Sequence, residues 1–482
     1  MTGTKDKFNI SNEIIYSLFP DKHQCDDIIE FLKNSINHHI AELPTISVNP
    51  SLSKEDISHV LSKYTFDGNF SPTDVLNDVL HLMEKGIVHV TSPNYFGLFN
   101  PSSTFWGVIS DLITALYNPQ LAVWSHAPAC VEIEEKLIKY LGGLAGFNPD
   151  NSGGAFTTGG AEANCTALIC ALAKYFPDYA KHGLQSINGL PVFYISSDSH
   201  LAWLKIALQS GLGHNAVRLI EVDRSGRMDI SCLTQAIDHD IGNGNKPFMI
   251  VGTAGTTNAG IIDPLPEIAS VSNKYNLYFH VDAAWAGAIL LSDKYSHHLN
   301  GIEHANSITI DAHKWLSAPM GTGMFICADK HILAIPFAVS TNYMPAGDDI
   351  NSDPYTHSIQ WSRRFNGLKL FMPLAILGRT GFNNMIDYQI NLADYLRSEL
   401  AKNDWQILNP AALPVICISD NGGFDVNKIL EKILEFNQCW ISLTTFANTK
   451  ALRICISSFR SRKSDIDQLV STLNTARNFA SI

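Results

Sequence analysis

The sequence predicts an α/β fold with a mostly parallel central sheet, an N-terminal helical segment and a small C-terminal α+β domain. Three observations carry this. Short β-rich apolar runs alternate with helical stretches from about residue 105 to 330. Before them, apolar residues recur at helical spacing, and beyond residue 400 three further β-rich runs have helical sequence between and after them.

In chain order, residues 24–43 (QCDDIIEFLKNSINHHIAEL) set Ile28, Ile29, Leu32, Ile36, Ile40 and Leu43 on one stripe that stops before Pro44, which predicts a one-sided helix. The central runs are VFYISSD (192–198), AVRLIEV (216–222), FMIVGTAGT (248–256), LYFHVDAAW (277–285), SITIDAHKW (307–315) and GMFICAD (323–329). The last two stand too close for a crossover helix and read as a hairpin on an otherwise parallel sheet. Residues 340–358, rich in Asp, Asn, Ser, Gly and Pro, read as a long loop. A helix over 384–402 puts Ile386, Ile390, Ala393, Leu396 and Leu400 on one face, and LPVICIS, CWISLTTF and ALRICIS then suggest a partly antiparallel sheet.

Composition narrows the function. With 482 residues, 45% hydrophobic and 17% charged, the chain can bury a large core and should form two or three domains. The 46 acidic and 34 basic side chains are spread without long runs of one sign, which speaks against a nucleic-acid or anionic-membrane partner. Neither a membrane-length apolar run nor a signal-peptide pattern is present, so a cytoplasmic enzyme is expected. Nine cysteines without a CxxC pair point to reduced thiols. The adjacent pairs His38-His39 and His297-His298 do not share a helix face, and no metal site is expected.

Ligands of open α/β sheets bind beyond the carboxyl ends of strands, so the polar residues that follow each apolar run are the candidates. Lys314 follows SITI, where an amine in a dry pocket could attack an aldehyde. Asp282 ends LYFHVD, a place for a carboxylate facing a cationic ring nitrogen. Thr157-Thr158-Gly159-Gly160-Ala161-Glu162-Ala163-Asn164 leads into the apolar helix CTALICALA, so free N–H groups and the helix dipole could cradle a phosphate. His200 follows VFYISSDSH, where an imidazole could stack on a flat ring. Taken singly, these are a surface lysine, a helix cap, a glycine turn and a structural histidine.

Together, in this order, they resemble the fold-type I pyridoxal-phosphate enzymes, and within them the group II amino acid decarboxylases of aromatic amino acids, histidine and glutamate. The motifs are SPNYFGLFNP (92–101), WSHAPACVEIE (124–134), TTGGAEAN, SSDSH, GTAGTTNAGIIDP (252–264), HVDAAWAG (280–287), DAHKW and SRRF (362–365). The resemblance implies a seven-stranded central sheet in a large domain over 105–369, an N-terminal helical arm and dimerisation segment over 1–104, and a small domain over 370–482. It implies pyridoxal 5'-phosphate as cofactor, held as a Schiff base by Lys314. Asp282 would pair with the pyridine nitrogen and His200 stack on the ring. Thr253 and Ala284 would line the cofactor, and Gly159, Gly160, Ala161 and His313 would hold its phosphate. Relatives commonly carry serine where this chain has Gly159 and Ala161, and Asn at Asp311; a carboxylate there must point away from the phosphate or be offset by a donor elsewhere.

The resemblance further implies that Tyr343, in TNYMPAG, protonates the α-carbon after CO2 leaves, and that a homodimer shares its active sites. It places the side-chain pocket at Tyr95, Leu98, Phe99, Asn100, Gln120, Ala122, Ser362 and Arg364. Leu98, Gln120 and Ala122 are less bulky than the aromatic-type pattern, and Ser362 is the residue of histidine decarboxylases. An aromatic or heteroaromatic amino acid is the leading substrate. An acidic or diamino acid (glutamate, aspartate, 2,4-diaminobutyrate), or another pyridoxal-phosphate lyase or aminotransferase reaction, stays open.

Overall fold

Seven strands form one sheet in the order β1-β7-β6-β5-β4-β2-β3. They are β1 (Gly153–Thr157), β2 (Pro191–Ser196), β3 (Val217–Ile220), β4 (Lys246–Thr253), β5 (Tyr278–Asp282), β6 (Ser307–Asp311) and β7 (Gly323–Cys327). The computed structural model describes residues 18–339 and 353–480. All neighbouring strands from β3 to β6 pair in parallel, while β7 runs against both β6 and β1. The expected β6–β7 hairpin is present, and two reversals leave β1 running in the direction of the parallel strands. Six strand ends, those of β1 to β6, therefore open onto one edge.

The chain divides into a unit of residues 1–47 and one of 48–482. In the first, helix α1 (Lys22–Glu42) starts at an Asp21–Gln24 capping box, and none of its residues is buried. The second unit contains α2 (Lys54–Ser62), α3 (Pro72–Lys85), α4 (Phe105–Tyr117) and α5 (Pro128–Leu144) before the sheet. Between strands lie α6 (Gly160–Tyr175), α7 (Ala202–Gln209), α8 (Ile230–Gly242) and α9 (Leu265–Tyr275). Two apolar clusters sandwich the sheet, one including Phe156, Tyr194, Ile250, Phe279 and Trp315, the other including Leu168, Phe193, Trp203, Phe248 and Tyr278. These alternate along the strands, so the sheet is covered on both faces, as parallel sheets require.

Helix α10 (Leu368–Lys402) begins well before the predicted 384–402 stretch, with a break at Gly378, whose φ of 66° and ψ of 175° no helix allows. After it, β8 (Trp405–Ile407), β9 (Val415–Asp420), α11 (Val426–Phe436), β10 (Ser442–Phe446), β11 (Thr449–Cys455) and α12 (Lys463–Ala480) follow. The four strands form an antiparallel sheet in the order β10-β11-β9-β8. Residues 95–97 are stitched to it: Phe96 N–H donates to Trp440 O at 2.8 Å and Phe96 O accepts from Cys455 N–H at 2.9 Å. Nothing in the residues around Tyr95 announces that long-range pairing. Among the described residues no helix is long and apolar enough to cross a membrane.

Candidate active site

The strand ends meet in one cleft, lined by Gly160, Ala161, Asn164, His200, Ala202, Thr253, Gly255, Thr257, Asp282, Ala284, Trp285, Asp311 and Lys314. Residues separated by more than 150 positions are brought together because register places Thr253, Asp282 and Thr309 in one row across β4, β5 and β6.

Lys314 stands in the turn between β6 and β7, fixed by its N–H to Asp311 O (3.1 Å) and by Ser317 N–H to its own carbonyl (3.0 Å). Its Nζ lies 3.0 Å from Asp311 Oδ2. Asp311 is buried and lines the cleft, so of the two alternatives, pointing away or being offset by a donor, the structure has the carboxylate facing inward with the Lys314 amine beside it. Among the described residues its Oδ1 has no hydrogen-bond donor, and Oδ2 is also 3.8 Å from His313 Nε2. Burial pulls the His313 imidazole below its ordinary pKa, and its Nδ1 accepts from Thr322 N–H at 3.2 Å.

Asp282, 5% exposed, accepts from Asn164 Nδ2 at 2.7 Å and from Ala284 N–H at 3.2 Å. Thr253 Oγ1 is 2.7 Å from Ser199 Oγ, and its N–H donates to Asp263 Oδ2 at 2.8 Å. Asp263 is a fully buried carboxylate pushed up to about 7 by desolvation, and it also accepts from Met228 N–H. His200 is exposed on the cleft rim, its Nδ1 accepting from Ala202 N–H at 3.1 Å.

The anion cradle is the start of α6. Gly159 offers no side-chain cap, so the N–H groups of Gly160 and Ala161 have no partner within the helix. A Cβ at 160 would stand 2.9 Å from Asp311 Oδ2 and 3.3 Å from the Ala284 Cβ, so a larger residue there would displace that carboxylate. The turn is held by Glu162, which accepts from Thr158 N–H (2.9 Å) and Oγ1 (2.7 Å), and from Gln360 Nε2 at 2.6 Å.

The side-chain pocket candidates fall into two groups, and none of them lines the cleft directly. Tyr95 donates to Asn100 Oδ1 at 3.2 Å and accepts from Leu98 N–H at 3.0 Å, and Phe99 stacks on Trp285 with ring centroids 4.3 Å apart. This group reaches the cleft through Trp285. Gln120 donates to Ser362 Oγ at 3.3 Å and accepts from Ala122 N–H, while Arg364 pairs with Asp111 at 2.8 Å. Gln360, two positions before Ser362, donates to Glu162 of the cradle turn. Tyr343 lies outside the described residues.

Sequence reasoning missed Asn164, Ser199, Asp263, Trp285 and Arg453. Arg453, on β11, is 3% exposed, donates to Thr257 O at 2.9 Å and Gly97 O at 2.7 Å, and leaves Nη2 without a partner. An alternating β pattern makes it a solvent-facing residue, and only the packing of the small sheet against the cleft shows otherwise.

Comparison with known proteins agrees with this geometry. The family model described as "Pyridoxal-dependent decarboxylase conserved domain" matches residues 60–419. An aromatic-L-amino-acid decarboxylase of Bacillus atrophaeus is 26% identical over 92% of this chain and 93% of its own. An L-aspartate decarboxylase of Metarhizium robertsii is 28% identical over 76% of this chain and 73% of its own. Among solved structures, Oryza sativa TDC with PLP and tryptamine superposes with a TM-score of 0.88 at 20% identity, over 95% of this chain and 99% of that one.

Proposed function

The chain belongs to the pyridoxal-dependent decarboxylase family, and from that membership we propose that it converts an aromatic or heteroaromatic L-amino acid to its amine and CO2. That it is an amino acid decarboxylase with pyridoxal phosphate as cofactor follows from the family itself. The observation carrying the site assignment is the convergence of Lys314, Asp282, His200 and the α6 N-terminus on one cleft.

The residues fit the cofactor. Unpartnered N–H groups at Gly160 and Ala161 suit a phosphate, the buried Asp282 carboxylate suits a ring cation, and the Lys314 amine opens onto the same space. When bound, pyridoxal phosphate supplies the electron sink for the bond broken at the α-carbon. Lys314 Nζ would hold the aldehyde carbon. Asp282 would keep a proton on the ring nitrogen, and His200 would cover one ring face. Thr253 and Ala284 would flank the ring, and Gly159, Gly160, Ala161 and His313 would hold the phosphate. Tyr343 donates the proton that replaces CO2 at the α-carbon. Tyr343→Phe is expected to keep cofactor absorbance while amine formation falls to below about a tenth, within the range of a lost general acid. Unchanged amine yield would remove Tyr343 from the reaction.

Asp311 opposes the phosphate. Its Oδ2 faces the Gly160 turn, 2.9 Å from where a Cβ at that position would stand, so Asp311→Asn, which removes the charge, is expected to tighten cofactor binding about 10-fold. Equilibrium titration of the apo-protein measures this, and weaker binding would mean that the Lys314 ion pair matters more.

Phe99 stacked on Trp285 gives the cleft an aromatic wall, which supports the substrate reading, as does the Bacillus relative. A second reading is an acidic substrate. Such a side chain needs a buried cation, and the Arg453 guanidinium, beside Thr257, has an Nη2 without a partner among the described residues. A screen of proteinogenic and diamino acids for CO2 release separates the two, and turnover of aspartate or glutamate but no aromatic acid would overturn the first. Oxo-acid or aldehyde products in place of amine would overturn decarboxylation as the outcome.

The pocket is completed, in this reading, by a second copy of the chain, because Gln120, Ala122 and Ser362 stand apart from the Lys314 cleft. A homodimer is expected by light scattering, and a fully active monomer would contradict it.

A further inference from the structure

Asp282 is the end of a buried chain of side chains running back through the sheet. Asn164, in the second turn of α6, donates from Nδ2 to Asp282 Oδ2 at 2.7 Å. Its Oδ1 is 2.6 Å from Thr309 Oγ1 and 3.1 Å from His280 Nε2, and His280 Nδ1 is 2.8 Å from Ser307 Oγ. Asn164 is 3% exposed, and His280, Ser307 and Thr309 are wholly buried.

Chemistry fixes the direction of each bond. A carboxylate only accepts, so the Asn164 amide nitrogen must face Asp282 and its oxygen must accept. Thr309 and His280 Nε2 therefore donate to that oxygen. Burial pushes His280 down to about 4, so the ring is neutral near pH 7 and carries one proton. With that proton on Nε2, Nδ1 accepts from the Ser307 hydroxyl. Every hydrogen points toward Asp282, and bonds aligned in one direction polarise one another in a low-dielectric interior.

We propose that Asn164, backed by His280 and Thr309, is a positioning residue for the cofactor's ring nitrogen: it fixes the plane and charge of Asp282 and so sets how strongly the bound ring draws electrons. The proposal rests on the reading of Asp282 as the ring-nitrogen partner. Asn164 lines the cleft beside Asp282, but its Nδ2 is engaged by Asp282 and its Oδ1 by Thr309 and His280, so it acts on the ring through that carboxylate.

The test is to reconstitute apo-protein with pyridoxal phosphate labelled with 15N at the ring and to read the nitrogen chemical shift, which differs between its protonated and unprotonated forms. Wild type should show the protonated form. Asn164→Leu should move the shift toward the unprotonated form and lower kcat by about 10- to 100-fold, the ratio for a lost hydrogen bond to a charged group. KM should change by less than about 2-fold, because the loss falls on the transition state. Thr309→Val keeps shape, removes one donor to Asn164, and should shift the resonance the same way by less; it decides the matter if Asn164→Leu fails to fold. Thermal midpoints of the apo-proteins report packing alone. A ring-nitrogen shift equal to wild type in both variants overturns the proposal, whatever the midpoints do. Asp282→Asn tells the two readings apart. If it moves the shift and Asn164→Leu does not, only the present proposal falls. If neither moves it, the role of Asp282 falls as well.

Discussion

Lys314→Ala is expected to lower decarboxylation by about 10^4-fold or more, because no other amine lines the cleft among the described residues to anchor the aldehyde. The loss should come from the side chain alone. The backbone of the turn is held by bonds from Lys314 N–H to Asp311 O, from Ser317 N–H to Lys314 O and from Ala318 N–H to Ala312 O, none of which alanine disturbs. Circular dichroism should therefore match wild type while the visible absorbance of the bound cofactor is lost. Asp311 would forfeit its closest cation, the Lys314 Nζ at 3.0 Å, so a modest fall in thermal midpoint is expected with it. Retained visible absorbance together with retained amine formation would remove Lys314 from the reaction.

Asp282→Asn is the second large effect. The substitution keeps the shape of a buried side chain and deletes the charge that, in the proposed function, would face the ring nitrogen. Leaving one member of a buried charge pair unmatched costs about 3–5 kcal/mol, or about 10^2- to 10^4-fold in kcat. Cofactor binding should fall far less, because Lys314 and the α6 N-terminus hold it at its two other ends. A kcat within a few-fold of wild type would mean that the ring nitrogen is governed elsewhere in the cleft. Because the Lys314 variant loses the visible band and the Asp282 variant keeps it, spectra and rates together separate anchoring from electron withdrawal.

The main features of the fold were legible because strands and helices leave different periods. The runs at 192–198, 248–256 and 277–285 fall on β2, β4 and β5. The closeness of 307–315 to 323–329 marked the β6–β7 hairpin, which is present as an antiparallel pair. Strand β1, Gly-Gly-Ala-Phe-Thr, was not legible: two glycines remove the apolar alternation, and they are there because a Cβ at Gly154 would strike Phe325 O and Ile138. Strand β8 is three residues long, too short to show a period. The early start of α10 was hidden by Pro373 and Gly378, which read as helix breakers, though only Gly378 interrupts the helix.

The sequence by itself determined the chemistry available: Lys314, Asp282 and His200 each follow an apolar run, which a parallel sheet sends to one edge, and the Gly159-Gly160 turn precedes an apolar helix. Tertiary structure alone decided what stands behind and beside them. Asn164 reaches Asp282 because α6 packs on the sheet over β5 and β6, Arg453 reaches Thr257 because the small sheet closes on the cleft, and Asp311 turns inward to meet Lys314. The division has a physical reason. A strand's period of two and a helix's N-terminal dipole are local properties of the chain, whereas a hydrogen bond between residues more than 100 positions apart exists only once the core has fixed where both backbones lie.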